Sequence, residues 1–305
     1  VQTDLHRNTA FILTLAVALG FLLPEPAARL ELLVMPALFI MMAFSMAGID
    51  LAVPPIRGAI TGFLISYLFL SGLILILAAS VIEEEALWLG FVVMAAVPPA
   101  VAVVPLTRLL AGDVRLALYS QALSYIASIV LMPSIIYIFA GMAASGVAET
   151  AKVVLLLILL PLIASRRIGR LKIDPAHPIN FGLFVVTYIV VGLNSGAMAK
   201  EAAGVLFIAI ARTFASGAVV YAASAMAGVG RPQRIAFTLF GSFKNLGLAA
   251  AVALLLFGHT AAVPAAVCIL TETGFYILLS VLGGRKAASP PETSGSTGRC
   301  CLSDR

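Results

Sequence analysis

The sequence predicts an all-α polytopic membrane protein of about ten transmembrane helices, arranged as two inverted repeats of five. Three observations carry this. The 305-residue chain is 62% hydrophobic and 11% charged, far below the roughly 25% charged residues of a soluble domain, so its solvent is mostly lipid. Its Lys and Arg fall in short connections that alternate between rich and poor. Two apolar runs are interrupted by residues that a lipid-facing helix would not carry: VPPAVAVVP, Val97 to Pro105, and GSFKNLG, Gly241 to Gly247.

At about 20 apolar residues per crossing, the first span covers roughly 9 to 24. It has the length of a secretory leader, but no small-residue cleavage site follows and further spans do, so it reads as a helix. The next four cover roughly 30 to 49, 58 to 80, 86 to 111 and 115 to 141. The second five cover roughly 151 to 165, 179 to 197, 202 to 228, 233 to 257 and 261 to 283. Lys152 to Ser165 is short for a crossing, so it begins earlier or sits in thinned bilayer. The remainder, 287–305, is rich in Ser, Pro and Gly and reads as a disordered cytoplasmic tail.

Charge sets the orientation, because cytoplasmic loops carry the excess of Lys and Arg. With ten spans, one side holds Arg7, Arg57, Arg108, Arg115, Arg166, Arg167, Arg170, Lys172, Arg231, Arg234, Arg285 and Lys286. The other holds Arg29, Lys152 and Lys200, and it collects Glu25, Glu31, Glu83, Glu84, Glu85, Glu149 and Glu201. Both termini are therefore expected in the cytoplasm, with the chain in the plasma (inner) membrane. The net charge of +5 lies in these loops rather than in one stripe, so no nucleic-acid partner is expected. Cys268 lies within a span and Cys300 and Cys301 in the tail, which cannot form a framework of disulfides.

The midpoint falls in the Gly141 to Glu149 connection, giving a first repeat over 1–147 and a second over 148–286. An odd number of spans per half forces the second half to insert upside down. The two interrupted spans, the fourth and ninth, then become partners about a pseudo-two-fold axis in the membrane plane, the arrangement that marks a secondary transporter's binding site. Pro98, Pro99 and Pro105 each remove a backbone donor and are expected to hold one break open, while Gly241 and Gly247 permit the other.

PALFIMMAFSMAGIDL in the second span, PPAVAVVPLTRLLAGD closing the fourth and GSFKNLGLAAAVAL in the ninth together resemble the bile acid/sodium symporter family, within the wider bile/arsenite/riboflavin transporter superfamily. The likeness, that of a divergent member, runs over about residues 8 to 284. It implies a core domain of spans three to five and eight to ten, whose fourth and ninth spans cross at their breaks. Spans one, two, six and seven would form a panel domain.

In that family, members that use sodium bind two ions through polar residues on the fourth span, hydroxyls on the fifth, and a glutamate and glutamine on the ninth. Aligned to it, the polar pair falls on Val103 and Val104, the glutamate on Phe240 and the glutamine on Lys244. A glutamine of the third span falls near Tyr67 and Leu68. Ser124 and Ser128 keep hydroxyls and Asn245 keeps an amide, which alone make a thin site. Lys244 could place its ammonium where the cation would sit, its three donors satisfying carbonyls freed by a broken helix. Alternatively, it snorkels to the cytoplasm or neutralises a helix C-terminus.

Arg212 in the eighth span and Glu272 in the tenth lie at similar depth. Each midplane charge costs about 2.5–3.5 kcal/mol on the insertion scale, so all three must be paired or hydrated. Glu272 can neutralise either Lys244 or Arg212, leaving one surplus positive charge that favours an anionic substrate. The alternative is an Arg212–Glu272 pair that staples two helices.

Other residues carry less. His6, His177 and His259 lie in loops or span ends and read as solvated. Asn194 and Ser195 either line the cavity or cap a helix. Met41, Met42 and Met46 pack against lipid or core, the alternative being that they grease a hydrophobic substrate surface. Vicinal Cys300 and Cys301 lie far from the last span and form no prenylation box, and nothing in the sequence assigns them acylation or any other role.

The expectation is a secondary active transporter of a small organic anion by alternating access, not driven by sodium, with protons as candidate coupling partner and lipid as surroundings. The alternatives are a sodium-coupled symporter with rebuilt sites and an anion channel. An arsenite permease of the superfamily would carry a cysteine in the fourth span, and none is there. No enzyme, cofactor or metal centre is expected, because Glu272 is the only acid at membrane depth and no histidine accompanies it.

Overall fold

The computed structural model describes residues 9–47, 56–141, 152, 155–171, 173–200 and 202–287. Among them every regular element is helical. The tail beyond 287, with Cys300 and Cys301, and His6 lie outside the described residues, as does the side chain of Met46.

Each of the ten expected spans has a helical counterpart. The first is α1 (Thr9–Leu22), and Pro24 then starts a separate helix, α2 (Pro24–Arg29), because proline lacks the N–H that a continuing helix needs. The second is α3 (Val34–Met46) and the third α4 (Ile56–Val81). The fourth is split into α5 (Glu85–Ala96) and α6 (Val103–Leu109), and the fifth is α7 (Val114–Ala140). Asp113 caps α7 by accepting the Leu116 amide at 2.9 Å, and Gly141 ends it at φ +62°, a left-handed conformation that suits glycine. The short sixth span is α8 over 155–168, reaching three residues past the expected end. Then come α9 (Ala176–Lys200), α10 over 202–226, the split ninth span as α11 (Arg231–Phe240) and α12 (Leu246–Phe257), and α13 (His259–Ala287). Five of these, α4, α7, α9, α10 and α13, are long and apolar enough to cross a bilayer by themselves.

Packing sorts the helices into two groups. In one, α9 lies along α1, α2 and α3, and α8 packs on α3. In the other, α4, α5 and α7 form one cluster, joined through α5 and α13 to α10, α11 and α12. The groups meet chiefly where α9 runs against α13. Lipid gives no hydrophobic drive between helices, so close approach at small residues does the work. A Cβ on Gly90 of α5 would collide with the Ala261 carbonyl of α13, and one on Gly62 of α4 would collide with the Ser120 hydroxyl of α7.

Candidate functional site

The site grows out of the two breaks. Pro98 and Pro99 have no N–H to give the carbonyls four residues back, those of Met94 and Ala95. The helix therefore stops at Ala96, and Val97 to Ala102 runs irregularly before α6. In the ninth span the chain turns at Gly241 and restarts when the Asn245 side chain accepts the Leu248 amide at 3.1 Å, an N-cap. The breaks meet: the Asn245 amide donates to the Pro98 carbonyl at 2.9 Å.

Lys244 fills the space behind them. It is fully buried, and its ammonium donates to Ser71 Oγ at 2.8 Å, the Val97 carbonyl at 2.9 Å and the Ala95 carbonyl at 3.2 Å. The Tyr67 ring lies 4.5 Å from Nζ, on a fourth side, a cation–π arrangement. Ser71 also donates to Ala95 O at 2.6 Å, and the Tyr125 hydroxyl donates to Pro99 O at 3.2 Å. Of the two carbonyls released by the prolines, that of Ala95 is thus taken up by the Lys244 ammonium and the Ser71 hydroxyl, while the ammonium and the Tyr125 hydroxyl also hold the Val97 and Pro99 carbonyls of the break itself. Snorkelling is ruled out, whereas the other alternative holds in part: the ammonium sits on the C-terminal carbonyls of α5, those of Ala95 and Val97.

Arg212, not Lys244, pairs with Glu272. The Arg212 Nη2 donates to Glu272 Oε1 and, at 2.6 Å, to the Ser242 carbonyl. The Lys244 backbone N–H donates to the same Oε1 at 3.0 Å. One carboxylate therefore ties α10 to the break of the ninth span. Both Tyr67 and Arg212 sit on widened π-turns, Ile65–Leu70 in α4 and Ala211–Ala215 in α10, a distortion frequent at functional sites.

A narrow cavity of about 60 Å³ opens on the other face of the breaks. The breaks line it through Ala100 to Ala102 and Phe243 to Gly247, α13 through Glu272 and Thr273, and the second group through Met41, Val186 and Thr187. The amides of Ala100, Val101, Ala102 and Gly247 have no acceptor among the described residues. Such freed donors at helix starts are a ready site for negative charge.

Several expectations need correction. Pro105 does not hold the break: it is exposed in the first turn of α6, where its missing N–H would have had no helical partner. Gly241 and Gly247 are not needed for unusual torsions. Gly241 has φ −84° and lies where a Cβ would come 2.6 Å from Val220, and Gly247 is already helical, 3.0 Å from Val186 by the same measure. Ser124 and Ser128 lie away from the cavity, their hydroxyls donating to the Ser120 and Tyr125 carbonyls of their own helix. Val103 and Phe240 are fully buried in apolar packing, and Val104 packs beside them. Asn194 and Ser195 neither cap nor line the cavity, since both donate to carbonyls inside α9, those of Val190 and Gly192. Met41 and Met42 are buried, with Met42 Sδ accepting from Asn245 Nδ2 at 3.3 Å, while His177 and His259 are exposed.

Ser71 is the residue that sequence reasoning missed, and Tyr67 was noted only by alignment. The available signal was two polar side chains four residues apart in an apolar span, which share a face. The chain matches the SBF-like CPA transporter family over residues 8–282. No curated protein matches it significantly.

Proposed function

The chain belongs to the SBF-like CPA transporter family, and we propose that it carries a small organic anion by alternating access without sodium. One observation carries the anion reading: two helix breaks converge on a cavity lined by Ala100, Val101, Ala102 and Gly247, whose amides have no acceptor among the described residues. Amides at half-helix starts suit a carboxylate.

Lys244 supports the sodium-free reading. Its ammonium already holds the Ser71, Ala95 and Val97 oxygens, and a sodium ion entering there would need those oxygens. With no sodium, transport runs on the substrate's own gradient or on protons.

The inverted repeat, residues 1–147 against 148–286, belongs to the same proposal. Helix α4 reads as nine residues, a six-residue π-turn and eleven residues. Helix α10 reads as nine, five and eleven. Matching distortions in the third and eighth spans, beside breaks in the fourth and ninth, suit two copies of one design. A cavity of about 60 Å³ is far below the roughly 300–1,000 Å³ of ligand sites. Admission of a substrate then requires the two helix groups to part along the α9–α13 contact.

Counterflow in proteoliposomes tests the carrier. Labelled small carboxylates should enter saturably and faster when unlabelled substrate is trapped inside. Flux that rises linearly with concentration and ignores trapped substrate would make the protein a channel.

A further inference from the structure

Three charges stand at the breaks, and two of them belong to residues that line the cavity, Glu272 and Lys244. Lys244 and Arg212 are fully buried, and the Lys244 ammonium points toward α4, on the opposite face of the break. Glu272 is 8% exposed and borders the cavity. The wall therefore presents a carboxylate, and the surplus cation foreseen from charge counting is turned away.

Glu272 is only half used by the protein. Its Oε1 takes the Arg212 guanidinium and the Lys244 amide. Its Oε2 accepts from no group among the described residues and lies on a residue that lines the cavity. An ionised carboxylate is an acceptor only, and the side chain keeps 10% of its surface open, so Oε2 can take a donor from whatever enters the cavity. A simple carboxylate entering beside it would bring like charge and no donor. An occupant with its own donor would satisfy Oε2.

We propose that the substrate is a small amphoteric acid of the α-amino acid class. Its carboxylate faces the amides of Ala100, Val101, Ala102 and Gly247, and its ammonium faces Glu272 Oε2. Met41, Val186 and Ile269 leave an apolar wall for a short aliphatic side chain. An α-hydroxy acid offers a neutral donor at the same place and binds more weakly, since the charge-assisted hydrogen bond is the stronger one. The inference rests on the reading of this cavity as the transport site.

The test is calorimetric titration of the purified full-length protein with propionate, lactate, alanine and ethylamine, which vary the group beside or in place of the carboxylate at nearly constant size. Alanine should bind at least tenfold more tightly than propionate, with lactate between them and ethylamine not bound. Glu272→Gln should narrow the alanine–propionate gap, but the wild-type ranking alone decides, so a folding defect in the variant leaves the test intact. Propionate binding as tightly as alanine would overturn the role of Glu272 and leave the anion site standing. Propionate that overtakes alanine as pH falls would also overturn it, by showing that Glu272 takes a proton and needs no donor from the substrate. Failure of all three acids to bind would contradict the cavity reading and this inference together.

Discussion

Lys244 survives at membrane depth because every donor of its ammonium has an oxygen and its open side has an aromatic face. Lys244→Met should strand the Val97 carbonyl, costing about 1–3 kcal/mol, visible as a lower unfolding temperature of the purified protein. Lys244→Arg keeps the charge, but a planar fork does not match three oxygens that surround a compact ammonium. That variant should fold and turn over at least tenfold more slowly, so wild-type rates would make the cradle indifferent to shape. The Arg212–Glu272 pair makes a separate prediction. Arg212→Met or Glu272→Gln should each cost about 3–5 kcal/mol, because each leaves a buried partner uncompensated. The double variant should cost clearly less than the sum, and additive losses in a double-mutant cycle would deny the coupling. The sequence revealed that three charges share one depth, since depth follows from position along a helix. It could not reveal which cation meets Glu272, because that depends on which way each helix faces its neighbours. The spacing of Tyr67 and Ser71 marked a polar face, but the role of Ser71 was hidden for the same reason: it exists only when α4, α5 and the ninth-span break are brought together.

The interrupted spans show how far local chemistry determines an element. Consecutive prolines end α5, so that break was legible, and Lys244 between two glycines located the other; that Asn245 restarts the helix as its N-cap was not read from the sequence. The part played by glycine was not legible either, because it serves equally a positive φ and a close approach, and Gly241 and Gly247 turned out to be the second kind. Pro99→Ala restores an N–H that can reclaim the Ala95 carbonyl from Lys244. It should change stability by no more than about 1 kcal/mol while lowering the transport rate at least tenfold in proteoliposomes. An unchanged rate would mean that the break persists without its proline. Gly90→Ala makes the opposite kind of prediction. Its Cβ would meet the Ala261 backbone rather than a movable side chain, so it should cost about 1–3 kcal/mol in a thermal unfolding assay.

For the whole molecule, hydropathy alone located ten helical segments, because about 20 apolar residues is a constraint set by the bilayer. The division into two helix groups is a tertiary property, and it entered the sequence reading only through family resemblance. Loop charge predicts that Arg166 to Lys172 faces the cytoplasm, and an impermeant reagent applied outside intact cells should leave a cysteine placed in that loop unmodified. The central claim is that a lysine does the work of an ion. Uptake of a binding amino or carboxylic acid into proteoliposomes, compared with sodium and with choline as the sole external cation, tests it most directly. Equal rates and equal accumulation in the two media are predicted. Uptake that collapses in choline and scales with the sodium gradient would contradict the account, and would mean that other oxygens bind sodium while Lys244 remains in place.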